Sequence, residues 1–266
     1  MLKLLKYEWK ACARTCLPLY GVLILMSLIS RILYVIPKNA SLDFMLPAIS
    51  SMLYMGVMMA AFVVTAVILI QRFYKNLLGS EGYLMFTLPV TVTQHLLSKT
   101  IIAVVMIALS GIAAFLSIGI FADMSFGTLF VDMIKGVARS GGLLFGLELL
   151  VLAVLGIADM ALFVYMCMAL GHLAGKHRLL MSVVWYVVLS TAVQVLLLLV
   201  MMGGGNVMPE ALADAIVRWL DSTMQPITPM DAAHLMLRCC CVFALIGDAV
   251  YFLVTRWILV HKLNLE

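Results

Sequence analysis

Charged residues are scarce in this chain of 266 amino acids. They form 11% of the sequence, whereas hydrophobic residues form 65% and the mean hydropathy is +1.16. A soluble domain carries roughly 25% charged residues, so this composition is too apolar to build a surface that faces water. The sequence therefore excludes a soluble enzyme and predicts one membrane domain. The formal net charge of +4 is better explained by cytosolic loops, and we expect no nucleic-acid partner.

Motifs for nucleotide and metal chemistry are also missing. The segment nearest to a phosphate-binding loop, Gly171 to His177, has the wrong spacing and no hydroxyl residue after its lysine. The sequence has no His-Glu-x-x-His zinc signature and no Gly-x-Ser-x-Gly elbow. Its six cysteines lack the spacing of a zinc site. We therefore expect no catalytic residue, cofactor or metal ion in this chain, and any ATP hydrolysis must take place on another subunit.

Long uncharged stretches dominate what is present. A helix needs roughly 20 apolar residues to cross the hydrocarbon core of a bilayer. By this criterion we predict an all-α integral membrane protein with six transmembrane helices. The predicted spans are residues 17–36, 46–70, 100–122, 143–170, 179–202 and 239–260. They leave two long connections, at residues 71–99 and 203–238.

The basic residues indicate on which side of the membrane the chain ends lie. Cytosolic segments carry an excess of Lys and Arg, and six spans place both termini on the same side. With cytosolic termini, eleven of the 17 Lys and Arg residues lie inside. The sequence therefore predicts that both termini are cytosolic. The inner set is Lys3, Lys6, Lys10, Arg14, Arg72, Lys75, Lys99, Lys176, Arg178, Arg256 and Lys262.

The N-terminal segment has an amphipathic pattern. Basic residues recur at helical spacing on one face, namely Lys3, Lys6, Lys10 and Arg14. The opposite face carries Leu2, Leu5, Trp9, Cys12 and Cys16. This pattern predicts an interfacial helix at residues 1–15, anchored by the cations and Trp9. A basic anchor continuous with the first span is the alternative. No signal-cleavage site follows, so we expect the segment to be retained.

The connection at residues 71–99 is unusually apolar for a cytosolic segment. Gly79 and Gly82 bracket a turn at Ser80-Glu81, and a short helix is predicted from there to Leu88, where Pro89 ends it. Thr91 or Thr93 can then cap a further helix that continues into the third span. Exposed aromatic residues would lower solubility unless the short helix lies at the membrane surface or in the groove of a partner.

Acidic residues at three positions lie inside predicted spans. Placing a charge at midspan costs about 2.5–3.5 kcal/mol, so Glu148, Asp159 and Asp248 should face protein or water. Glu148 and Asp159 are spaced to share one face of the fourth span. They are candidates for a translocation path; the alternative is that they hydrogen-bond to neighbouring helices and stabilise packing.

Together, the segment from Phe73 to Lys99, the basic N-terminal helix and the six spans resemble permease subunits of type-2 ATP-binding-cassette (ABC) exporters. The small bacterial permeases of that class are the most similar. The resemblance implies a coupling helix that docks on a separate ATPase subunit. Its contact residues would be Glu81, Tyr83, Leu84, Phe86 and Leu88.

The same resemblance implies the partners and the setting. The N-terminal helix would be the family's elbow helix, and short extracytosolic helices would lie within residues 203–238. ATP and magnesium would bind the ATPase, and a second permease chain, identical or related, would complete a dimer. The location would be the bacterial cytoplasmic membrane. Peptide, lipid and drug cargoes all remain open.

Two other functions are compatible with the sequence. An ion- or proton-coupled secondary transporter would depend on the intramembrane acids and need no ATPase. A membrane scaffold or sensor subunit would transport nothing.

Overall fold

The computed structural model describes residues 2–35, 45–79, 91–122, 142–174, 177–203 and 229–261, with isolated positions 128, 131–132, 135–136 and 218. Within these residues the protein is helical and contains no strand. The long helices are α1 (Leu2–Val35), α2 (Met45–Phe73), α3 (Val92–Phe121), α4 (Gly142–His172), α5 (Arg178–Gly203) and α6 (Pro229–His261). A π-helical turn, Tyr74–Leu78, continues α2.

All six helices are long and apolar enough to cross a membrane. A helix satisfies its backbone hydrogen bonds internally, which is what a segment in hydrocarbon requires. Large apolar side chains remain exposed along the outer faces of these helices, and this surface suits lipid rather than water. Within the described residues, the predicted all-α fold with six helices able to span a membrane is confirmed, and this architecture is that of a multi-pass membrane protein.

The helix ends extend beyond the predicted spans. α1 is one continuous helix from Leu2 to Val35 with Pro18 inside it, where the sequence suggested an interfacial helix followed by a span. α6 begins at Pro229, inside the predicted extracytosolic connection at 203–238, and runs without a break to His261, so it starts ten residues before the predicted sixth span. α3 follows an N-cap at Thr91, one of the two predicted caps. The predicted short helix at 81–88 lies outside the described residues, and of the predicted extracytosolic helices within 203–238 only residues 203, 218 and 229–238 are described.

The core lies between α1, α2, α3 and α4. α1 packs against both α2 and α3, and α4 packs against α3. Hydrogen bonds join the first three helices: Tyr20 OH donates to the Met106 carbonyl over 3.1 Å, and Ser30 Oγ donates to the Ser50 carbonyl over 3.1 Å. Interhelical hydrogen bonds in membranes contribute about 0.6–2 kcal/mol each. These helices therefore form one cohesive unit.

α4 connects this unit to the last two helices. Among the described residues, α5 packs mainly on α4, while α6 packs along α4 and touches α3. The α4–α5 contact is closest at Gly171, where an added Cβ would lie 2.1 Å from Ser182 Oγ and 2.4 Å from the Ser182 backbone nitrogen. Glycine is required here because no side chain fits between the two helices.

Candidate functional site

The predicted coupling residues belong to a segment whose two ends are described. Glu81, Tyr83, Leu84, Phe86 and Leu88 themselves lie outside the described residues. On one side α2 and its π-helical turn continue to Leu78, and on the other α3 starts at Val92. The connection between helices is thus shorter than the predicted 71–99.

Helical extensions therefore flank this connection. Residues 71–78 prolong α2 beyond its predicted span, and residues 92–99 precede the predicted third span. At a rise of about 1.5 Å per residue, each extension adds about 12 Å. Phe73, Leu77 and Leu78 are buried in the first extension, as are Leu96 and Lys99 in the second. Both extensions are therefore packed parts of the protein.

A buried charge cluster joins the two extensions to α1. Lys99 Nζ lies 2.8 Å from Glu8 Oε1, and Arg72 Nη1 lies 3.5 Å from Glu8 Oε2. Arg72 Nη1 also donates to the Glu8 backbone carbonyl over 3.1 Å and to Cys12 Sγ over 3.0 Å. We call Glu8, Arg72 and Lys99 the Glu8 cluster. One carboxylate on α1 thus binds a cation from α2 and a cation from α3.

Burial makes the Glu8 cluster hard to separate. Glu8 is 6% exposed and Lys99 is 5% exposed. Removing one partner of a buried ion pair typically costs about 3–5 kcal/mol, because the remaining charge has neither water nor a counterion. The α1–α3 contact is therefore hard to separate at this level, whereas Arg72 of α2, whose side chain is 27% exposed, makes a partly solvated contact with the same carboxylate.

An aromatic contact extends the cluster to α4. Phe73, next to Arg72, stacks on Tyr165 of α4 with ring centroids 4.0 Å apart and planes 6° apart. Both rings are buried, and Tyr165 lines the same small cavity as Glu8 and Lys99. Such pairs contribute about 0.5–1.5 kcal/mol beyond the area they bury. Four helices therefore meet next to the connection at residues 79–91.

The predicted interfacial anchor shows two distinct faces. Lys3, Lys6, Lys10 and Arg14 are all exposed on α1. On the other face, Cys12 and Cys16 are buried against protein, although Trp9 is 37% exposed. The apolar face that the sequence assigned to the acyl boundary therefore packs largely on neighbouring helices.

Glu8 is the residue that the sequence interpretation missed. It falls between Leu5 and Cys12 at helical spacing, so it lies on the apolar face of the N-terminal helix. An acid within an apolar face is a signal for a buried partner. Arg72 and Lys99 were assigned to a cytosolic connection, where nothing in the local sequence shows that they meet one carboxylate.

The acids of the predicted translocation path lie along the α4–α6 contact. Glu148 Oε1 accepts from Arg238 Nε over 2.8 Å, and Glu148 Oε2 lies 2.5 Å from His234 Nδ1. Asp159 also faces α6, since its Oδ1 lies 3.0 Å from the position of an added Cβ on Gly247. Glu148 and Asp159 therefore share one face of α4, as their spacing predicted.

Asp159 and Asp248 form a second group on the same contact. The two carboxylates are close enough to interact electrostatically. Asp248 Oδ1 is buried and accepts no hydrogen bond from the described residues. Glu148 thus has basic partners, whereas the aspartates have none in the part of the chain that the structure describes.

The described residues contain no group of His, Cys, Asp and Glu that could hold a metal ion. The fold and these clusters define a multi-pass membrane protein with a buried ionic junction and an acidic helix contact. Comparison with protein-family models, curated proteins and solved structures finds no match to the chain.

Proposed function

We propose that this chain is the permease subunit of an ABC-type exporter, coupled to a separate cytosolic ATPase through residues 81–88. The observation that carries the proposal is the pair of packed helical extensions on either side of residues 79–91. A coupling element must pass a displacement into the membrane domain, so it needs stiff supports. The extensions supply them, because they are helical, buried and joined by the Glu8 cluster.

The rest of the assembly follows from this function. Two permease chains, identical or related, enclose the path, and the ATPase chains bind ATP and magnesium. The N-terminal part of α1 acts as the elbow helix, with its exposed cations at the headgroups of the cytosolic leaflet. The location is the bacterial cytoplasmic membrane, with both termini inside.

A secondary transporter driven by ions or protons is the second candidate. Asp248 Oδ1 is buried near Asp159 and accepts no hydrogen bond from the described residues, which favours this candidate, because acidic groups in a membrane commonly carry protons or cations. The two functions differ in what they require. The exporter needs the coupling residues, and the carrier needs the aspartates.

The test of the exporter is recovery of the ATPase with tagged permease in mild detergent. Phe86→Ala or Glu81→Lys should leave the chain inserted and folded but lose the ATPase. A large side chain at a binding hot spot contributes about 2 kcal/mol or more, so each variant should weaken binding roughly 30-fold. Trp219→Ala, in the predicted outer connection, is the control and should keep the ATPase bound.

The measured quantity is the ratio of ATPase to permease. If this ratio is unchanged when Glu81, Tyr83 and Phe86 are all replaced, the coupling helix is not in this segment. Failure to recover any ATPase with the unmodified chain would contradict the exporter itself.

A further inference from the structure

The carboxylate of Glu8 contacts both helices that flank residues 79–91. Its Oε1 lies 2.8 Å from Lys99 on α3, and its Oε2 lies 3.5 Å from Arg72 on α2. The partners are far away in sequence, with separations of 91 and 64 residues. The Glu8 carboxylate of α1 thus contacts a cation on each extension, and Arg72 also bonds to the Glu8 carbonyl and Cys12 Sγ on α1.

Burial determines how this junction responds to force. Glu8 and Lys99 are 6% and 5% exposed, so water cannot replace either partner while the helices separate. Breaking such a pair leaves a bare charge in a dry site, which is strongly unfavourable. A displacement of the two extensions should therefore move α1 with them and leave the Glu8 cluster intact. The Phe73–Tyr165 stack provides a parallel link to α4.

We propose that Glu8 is a positioning residue that makes the N-terminal half of α1 move as one body with α2 and α3 when a partner displaces residues 79–91. The proposal rests on the proposed function, since it assigns a transmission role to the base of the same coupling segment. Movement then takes place between this three-helix body and α6, not within the body.

The test measures distances in the purified permease–ATPase complex with spin labels. One pair, at Lys6 on α1 and Leu97 on α3, reports on movement within the three-helix body. A second pair, at Leu97 and Val260 on α6, reports on movement of that body against α6. All three positions are exposed. The six native cysteines are first replaced, with Cys12→Ser so that Arg72 keeps an acceptor.

Each pair is measured without nucleotide and after trapping with ATP, magnesium and vanadate. In the wild type, the Lys6–Leu97 distance should stay constant while the Leu97–Val260 distance shifts. In the double variant Glu8→Gln/Lys99→Met the Lys6–Leu97 distance should shift by about 1–2 Å, the scale of helix movements at interfaces. Lys99→Arg keeps a cation on α3 and should behave as the wild type.

The double variant separates transmission from simple structural support. It leaves no unpaired buried charge at positions 8 and 99, and Arg72 retains its bonds to the Glu8 carbonyl and Cys12. It should therefore unfold at the same temperature as the wild type, whereas Glu8→Gln alone should unfold earlier because Lys99 loses its carboxylate. A purely structural role would leave the distances of the double variant constant.

The outcomes distinguish the two proposals. A nucleotide-dependent shift of Lys6–Leu97 in the wild-type complex overturns the role of Glu8 and leaves the exporter in place. The wild-type measurement therefore tests the role of Glu8 even if the double variant does not fold. If the unmodified chain binds no ATPase, the exporter is contradicted and the role of Glu8 is overturned with it.

Discussion

Gly171→Ala tests the α4–α5 contact through which α5 joins the rest of the protein. The new Cβ would lie 2.1 Å from Ser182 Oγ, 2.4 Å from its nitrogen and 2.5 Å from its Cα. Ordinary contacts of a Cβ begin at 3.4 Å, so α5 would have to move by about 1 Å, the shortfall from close packing. Two of the three clashing atoms belong to the backbone, so a new rotamer of Ser182 cannot remove the clash.

The size of the effect follows from two opposing contributions. Overpacking a well-packed contact costs about 1–3 kcal/mol. Alanine is favoured over glycine in a helix by about 1 kcal/mol, which offsets part of that cost. The clash with backbone atoms favours the upper end of the overpacking cost, so the net loss should be at most about 2 kcal/mol, which corresponds to a fall of up to roughly 4–8 °C in the unfolding temperature for a chain of this size.

The assay is thermal unfolding in mild detergent, followed with a thiol-reactive dye. The exposed Cys239 and Cys240 and the half-buried Cys241 are first replaced by serine, so that the dye reports on the buried Cys12, Cys16 and Cys167, which react only on unfolding. The matched control is Gly156→Ala on the same helix, where an added Cβ meets nothing within 4 Å; its unfolding temperature should be unchanged or higher. Adding Ser182→Ala to Gly171→Ala should not restore stability. Equal unfolding temperatures for Gly171→Ala and Gly156→Ala would refute the reasoning.

The remaining predictions concern topology and the membrane acids. Because the distribution of basic residues predicts that both termini are cytosolic, a thiol reagent added from outside should label single cysteines at Asp43 and Glu210 but not at Ser80 or His177. Labelling at Ser80 from outside would reverse this arrangement. Because ATP hydrolysis supplies the energy in the proposed exporter, Asp159→Asn and Asp248→Asn should change stability or cargo preference more than they reduce turnover in vesicles. Transport that continues without ATP and stops when the proton gradient is collapsed would support the carrier instead.

The parts of the fold that the sequence predicted are those that depend on local properties. The six spans follow from uncharged stretches, since a bilayer requires length and apolarity from each helix separately. The start of α3 matches the predicted cap at Thr91, whose backbone is extended, with φ −73° and ψ 150°, although its side chain makes no capping hydrogen bond.

The parts that the sequence did not predict depend on contacts between distant residues. The helices continue past the predicted spans because residues such as Phe73, Leu77 and Leu96 are buried against other helices, which a hydropathy criterion cannot show. Lys99 was expected in a cytosolic connection, but its ion pair with Glu8 places it in the protein interior. Likewise, the spacing of Glu148 and Asp159 predicted that they share one face of α4. Only the structure shows that Arg238 pairs with Glu148. It also shows that neither Asp159 nor Asp248 has a basic partner among the described residues.

α4 links the two groups of charged residues. Near its end, Tyr165 stacks on Phe73 beside the Glu8 cluster, while Glu148 and Asp159 face α6 from earlier turns of the same helix. A helix is stiff along its axis because every turn is hydrogen-bonded to the next. A movement of the three-helix body at Phe73 can therefore reach Glu148 and Asp159 through α4 alone, because Tyr165 and both acids lie on that helix. In the proposed exporter, a movement between α4 and α6 would then change the surroundings of these acids. This is why we expect the acids to affect cargo preference, while ATP hydrolysis supplies the energy.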